Sequence, residues 1–146
     1  MTRIDFYFNV TDKPALTHDL VQTALEKRRQ VTITVADEAA ANDLTSALWQ
    51  QKPESFLPNV LVNHALAAQT PVVIHWQNQA VLQDELLINL SAAQPSFFSQ
   101  FTQLIELVGD DEQDKAAARA RYKFYRDRGY EIKNINQAKI DSLNIK

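Results

Sequence analysis

The order in which short apolar runs and amphipathic segments alternate constrains this fold more than any other feature of the chain. Ile4, Phe6 and Phe8 alternate with polar or amphipathic residues, which is the period of a first strand. Pro14–Arg29 then sets Leu16, Leu20, Val21, Ala24 and Leu25 on one helical face. Its basic end, Lys27-Arg28-Arg29, suits a helix C-terminus, where cations meet the negative end of the dipole. Val31–Val35 is a β-branched strand, and Asp37 is placed to cap a helix running to about Trp49. A loop rich in polar residues and proline, Gln50–Asn59, follows, then two short apolar strands, Pro71–Trp76 and Leu86–Leu90. Ser96 is expected to open a helix with Phe97, Phe98, Phe101, Leu104, Ile105 and Val108 at helical spacing, an aromatic stripe read as core. Nothing in Asp111–Gly129 breaks a helix, its alanines favour one, and Gly129 is a natural stop.

Two strand–helix pairs, then two strands, then two helices predict an α/β domain of three layers, α/β/α, with a mixed, mainly parallel sheet. The layout is Rossmann-like, but no nucleotide site is expected. Phosphate loops need glycines after a strand, and the chain has two glycines in all, Gly109 and Gly129. No internal repeat or change of composition divides the 146 residues, so they read as one domain, with the polar stretch 135–146 expected to be a loosely held tail.

The same inventory disfavours catalysis. His18, His64 and His75 lie far apart with no metal-binding spacing, and no nucleophile elbow is present. Cysteine is absent, which removes thiol nucleophiles, disulfides and cysteine metal sites. The protein is therefore expected not to be an enzyme and to need no cofactor or metal. The opening MTRIDFYFNV is interrupted by Asp5 and does not read as a signal peptide, and no apolar run reaches the roughly 20 residues of a membrane span, so a cytoplasmic location is expected.

Charge is where the sequence turns toward function. Six of the chain's 15 Lys and Arg fall within Lys115–Arg128, and no basic residue lies between Lys52 and Lys115. The chain as a whole carries a net charge of -3. A compact basic patch on an acidic body points to a docking site rather than to general polyanion affinity. On a helix, Lys115, Arg119, Tyr122 and Arg126 line one face. Ala117, Ala120 and Phe124 take the opposite side, with Tyr125 and Ala118 at its margin, and that side is expected to pack on the core. Arg121 points the same way, as a rim residue or as the partner of an acid. Three cations around a tyrosine suit a ligand with a carboxylate and an apolar side chain. They would equally serve a direct single-stranded nucleic-acid-binding module, by stacking and neutralisation. A third reading is a solvated amphipathic helix, because the segment begins with Asp110, Asp111, Glu112 and Asp114 and Asp111 can pair with Lys115. A second cluster, Trp49 and Phe56, lies where a helix gives way to a proline-stiffened loop. Such aromatics are either folded back as core or displayed as partner anchors.

Taken together, the opening FYF, ALW…PESFLP at Ala47–Pro58, PVVIHW at Pro71–Trp76, LINL at Leu87–Leu90 and ARARYKFYRDRGY at Ala118–Tyr130 resemble the chi subunit family of bacterial DNA polymerase III, accessory to the clamp loader. Asn59 stands where many relatives have histidine, and Val60–Thr70 and the residues after Lys133 lie outside the resemblance. The resemblance implies a non-catalytic bridge with two partners. One is the acidic C-terminal tail of single-stranded DNA-binding protein, which ends in Pro-Phe. By motif position Lys115, Arg119 and Tyr122 would hold it, with Val108 as an apolar wall, and Arg126 joins them by helical geometry. The other is the psi subunit, which would be met by Trp49 and Phe56, and an accessory helicase would compete for that same face.

Overall fold

The computed structural model describes residues 2–51, 59–61, 70–77 and 81–138, of which 48–51 and 59–61 are described as backbone only. Along the chain run β1 (Arg3–Phe8), α1 (Lys13–Glu26), β2 (Val31–Val35), α2 (Glu38–Gln51), β3 (Asn59–Leu61), β4 (Val72–Trp76), β5 (Leu86–Asn89), β6 (Gln103–Leu107), α3 (Glu112–Asp127) and β7 (Ile132–Asn136). The strands form one seven-stranded sheet in the order β3-β4-β2-β5-β6-β1-β7. Every pair of described strands is parallel, so the sheet holds no antiparallel member among them.

The register explains the layers. Val31, Ile33, Leu86, Ile88, Ile105 and Leu107 share one face and pack with Leu16, Val21 and Ala24 of α1 and Ala41 and Leu44 of α2. Ile4, Phe6, Leu87 and Leu104 share the other face and meet Phe98, Phe101 and the α3 residues Ala118 and Tyr125. A parallel sheet covered on both sides needs strands buried along their whole length, and β2, β4, β5 and β6 are buried at every residue. The three-layer α/β expectation therefore stands. Asp12 caps α1 by accepting from the Ala15 N–H at 3.1 Å, and Gly129 follows α3 with a φ of +82°, a conformation that a side chain disfavours.

Three expectations need correction. Ser96–Val108 is not a helix: it makes a single 3-10 turn at Phe98–Gln100 and then becomes strand β6. Phe98 and Phe101 are buried as expected of core residues. Their spacing imitates a helix because β6 lies between β5 and β1, where burial on both faces erases the period of two. The loose tail also cannot begin at 135. Ile135 and Asn136 belong to β7 and pair with Tyr7 and Phe8 of β1. Residues 139–146 lie outside the described part of the chain. The basic run after α1 has no residue in the last helical turn: Lys27 is the C-cap, and Arg28 follows it with a φ of 58°.

Candidate functional site

Helix α3 is fixed at its start by two aspartates. Asp111 caps it, accepting from the Asp114 N–H at 2.6 Å. Asp114 Oδ2 accepts the Gly109 N–H at 2.6 Å and meets Lys13 Nζ of α1 at 2.7 Å. Burial alone would raise the Asp114 carboxyl, but Lys13 and the Gly109 amide outweigh it and hold it below the usual range. A side chain at Gly109 would place its Cβ 3.0 Å from Asp114 Oδ2, so the Asp114 carboxylate would have to give by a few tenths of an ångström. Asp111 does not form an ion pair with Lys115. Its carboxylate serves the cap, and its carbonyl accepts the Lys115 N–H at 3.1 Å.

A buried polar cluster holds the middle of the helix. Glu106, on β6, is fully enclosed. It accepts from Arg121 Nε at 3.1 Å, from the Tyr125 hydroxyl at 2.6 Å and from Asn89 Nδ2 at 2.9 Å. Arg121 also donates Nη1–H to the Ala92 carbonyl at 2.8 Å. Burial raises the Glu106 carboxyl despite Arg121 and these hydrogen bonds. Burial, then the charge of Glu106, pushes the Tyr125 hydroxyl far up. The inward face of α3 is thus Ala118, Arg121 and Tyr125, while Ala120 is exposed and Ala117 and Phe124 are half-buried. The expected core side was rotated because the sequence left Arg121 as either a rim residue or the partner of an acid, and that acid, Glu106, lies on another element.

A cavity of about 240 Å³ lies between α3 and the strands β1 and β7. Phe6, Phe8, Val108, Ala118 and Tyr122 make it apolar, and Lys115 and Arg119 stand on its helical side. The Tyr122 ring meets Phe6 edge-on at 5.3 Å, which fixes its place in the wall. Among the described residues neither Lys115 nor Arg119 is in an ion pair. An apolar hollow beside two unpaired cations can take a ring together with a carboxylate.

The structure therefore brings four of the candidate residues, Val108, Lys115, Arg119 and Tyr122, to one cavity. Arg126 is not among its lining; its side chain is 63% exposed and lies 3.7 Å from Asp127. Phe56 and the side chain of Trp49 fall outside the described residues. Sequence reasoning missed Phe6, Phe8, Asn9 and Asn134 as lining. The alternation of Phe6 and Phe8 was visible, but nothing local in the sequence told which sheet face meets α3. Asn134 had no signal, because β7 itself was not foreseen. Among the described residues no group of three His, Cys, Asp or Glu could hold a metal, and no helix is long and apolar enough to cross a membrane.

A family model described as DNA polymerase III chi subunit, HolC, matches residues 1–133. The DNA polymerase III subunit chi of Pseudomonas aeruginosa is 32% identical over 138 residues, covering 92% of this chain and 96% of the relative. That of Haemophilus influenzae is 38% identical over 109 residues, covering 74% and 76%. In fold alone, the chain is similar to the C-terminal domain of the DEAD-box protein Dbp5, with a TM-score of 0.62 at 15% identity over 97% of this chain and 94% of that one.

Proposed function

The chain belongs to the DNA polymerase III chi subunit family, whose members are replication accessory subunits, and we propose that it acts there as a non-catalytic adaptor. In this reading the cavity between α3 and β1 takes the acidic C-terminal tail of single-stranded DNA-binding protein. The terminal Phe ring enters between Phe6, Val108 and Tyr122. Its carboxylate meets Arg119 as a charge-assisted pair, and upstream aspartates meet Lys115 and, along the helix, Arg126. A second surface at Trp49 and Phe56 would bind the psi subunit and so link the tail to the clamp loader, with an accessory helicase as the competing occupant.

The observation that carries the reading is the pairing of an apolar hollow with cations that have no acid partner among the described residues. A nucleic-acid surface would instead be expected to extend its charge, yet α3 begins with Asp111, Glu112 and Asp114 directly above Lys115. Calorimetry with a synthetic acidic peptide ending in Pro-Phe tests it. Removing only the terminal Phe should abolish binding although the aspartates remain. Equal binding of the shortened peptide, or displacement of the full one by a single-stranded oligonucleotide, would reject it in favour of simple charge recognition.

A further inference from the structure

The two sides of the cavity differ chemically. The α3 side is cationic, while the side built by β1 and β7 carries amides. Asn134 on β7 pairs in register with Phe6, so its side chain stands on the sheet face that meets α3. It is exposed, lines the cavity, and donates Nδ2–H to the Tyr122 hydroxyl at 3.4 Å, a long and therefore weak bond. Asn9, at the end of β1, has a φ of 58° and donates Nδ2–H to Asn136 Oδ1 at 3.2 Å.

A peptide whose last residue fills this hollow must bring its final amide between the two walls. A buried N–H without an acceptor costs about 1–3 kcal/mol, so the site needs an acceptor. Lys115 and Arg119 can only donate. Phe6, Phe8, Val108 and Ala118 have no polar side-chain atoms. Side-chain acceptors in the lining are thus confined to Asn9, Asn134 and the Tyr122 hydroxyl, and of these Asn134 stands directly across from Tyr122.

Resting on the tail-binding reading above, we propose that Asn134 determines specificity for a peptide main chain: its Oδ1 accepts the N–H of the ligand's terminal residue. The cations then recognise charge, and Asn134 recognises that the charge is carried by a peptide.

The test uses the full chain and two synthetic acidic peptides, one ending in Pro-Phe and one in which phenyllactic acid replaces Phe. The second keeps the ring and the carboxylate and exchanges the terminal amide N–H for an ester oxygen. Wild type should bind the ester about fivefold more weakly, the worth of one hydrogen bond. Asn134→Ala should lose the preference for the amide, binding the Pro-Phe peptide no better than the ester, with an unchanged Tm and an unchanged salt dependence. Equal binding of both peptides by wild type, or a continued preference of Asn134→Ala for the amide, would overturn the assignment while leaving the tail-binding reading intact. If wild type binds neither peptide, the tail-binding reading fails and the role of Asn134 falls with it.

Discussion

Replacing Arg121 by Ala should be among the most destabilising single changes on α3. Glu106 is fully enclosed and Arg121 is only 3% exposed, so neither can be resolvated in place. Removing one member of a buried pair leaves an uncompensated charge and typically loses about 3–5 kcal/mol. The bond from Arg121 Nη1 to the Ala92 carbonyl is lost as well, worth about 1 kcal/mol. Bonds to Tyr125 and Asn89 remain and offset part of the loss. A net loss of about 4 kcal/mol at pH 7 follows, or roughly 10 °C in Tm for a chain of this size.

The pH dependence of this variant has a defined sign. Glu106 already has a raised folded-state pKa, and Arg121 is the strongest influence lowering it. Without Arg121 the carboxyl rises further, and the folded protein binds a proton more tightly than the unfolded one. The variant's deficit should therefore be smallest below the ordinary carboxylate value of 4.5 and grow as pH rises through the folded value. Adding Glu106→Gln to Arg121→Ala should recover much of the stability at pH 7, because no charge is left unpaired. Urea unfolding followed by circular dichroism at pH 5 and pH 7 measures all of this. A loss at pH 7 below about 1 kcal/mol, or a deficit that grows on acidification, would refute the argument that this ion pair fixes α3.

Other changes separate binding from folding. Arg119→Ala should leave Tm unchanged and weaken an acidic Pro-Phe-ended peptide by about 2 kcal/mol in calorimetry, whereas Arg126→Ala, outside the cavity, should cost about twofold or less. Gly109→Ala should lower stability by about 1–2 kcal/mol in thermal melts, since the new Cβ crowds the Asp114 carboxylate that ties α3 to α1. On the adaptor reading, Phe56→Ala should impair capture of the psi subunit in a pulldown and leave peptide affinity intact; loss of both would identify Phe56 as a core residue.

The extent to which the sequence foretold these features follows from their range in the chain. Val31–Val35 and Leu86–Leu90 were legible as strands because each apolar run is too short for a buried helix and fits a strand covered on both faces. Helix α3 was legible because its alanines and Gly129 act within the segment itself, although the cap formed by Asp111 was not read. β6 was misread because Phe97 to Val108 satisfies a helical period by coincidence, and only its neighbours β5 and β1 decide the matter. β7 escaped notice because an edge strand mixes Lys133, Asn134 and Asn136 with its two isoleucines, leaving no period to detect. Lys115, Arg119 and Tyr122 were found as a charge pattern, and their spacing sets them near one another. Neither the apolar floor from Phe6 and Phe8 nor the turn of α3 that buries Arg121 could be read that way. Both depend on which strands lie beneath the helix and on Glu106, fifteen residues from Arg121 in sequence.

The most direct test of the central claim is a nuclear magnetic resonance titration of the isotopically labelled full chain with an acidic peptide ending in Pro-Phe. The largest amide shifts should fall on Val108, Gly109, Lys115, Arg119 and Tyr122 and on Phe6 and Asn134 across the cavity, and they should vanish when the terminal Phe is omitted. Shifts confined to the exposed ridge of Lys123 and Arg126, or persisting without the terminal Phe, would contradict a built peptide site and leave only a charged helix.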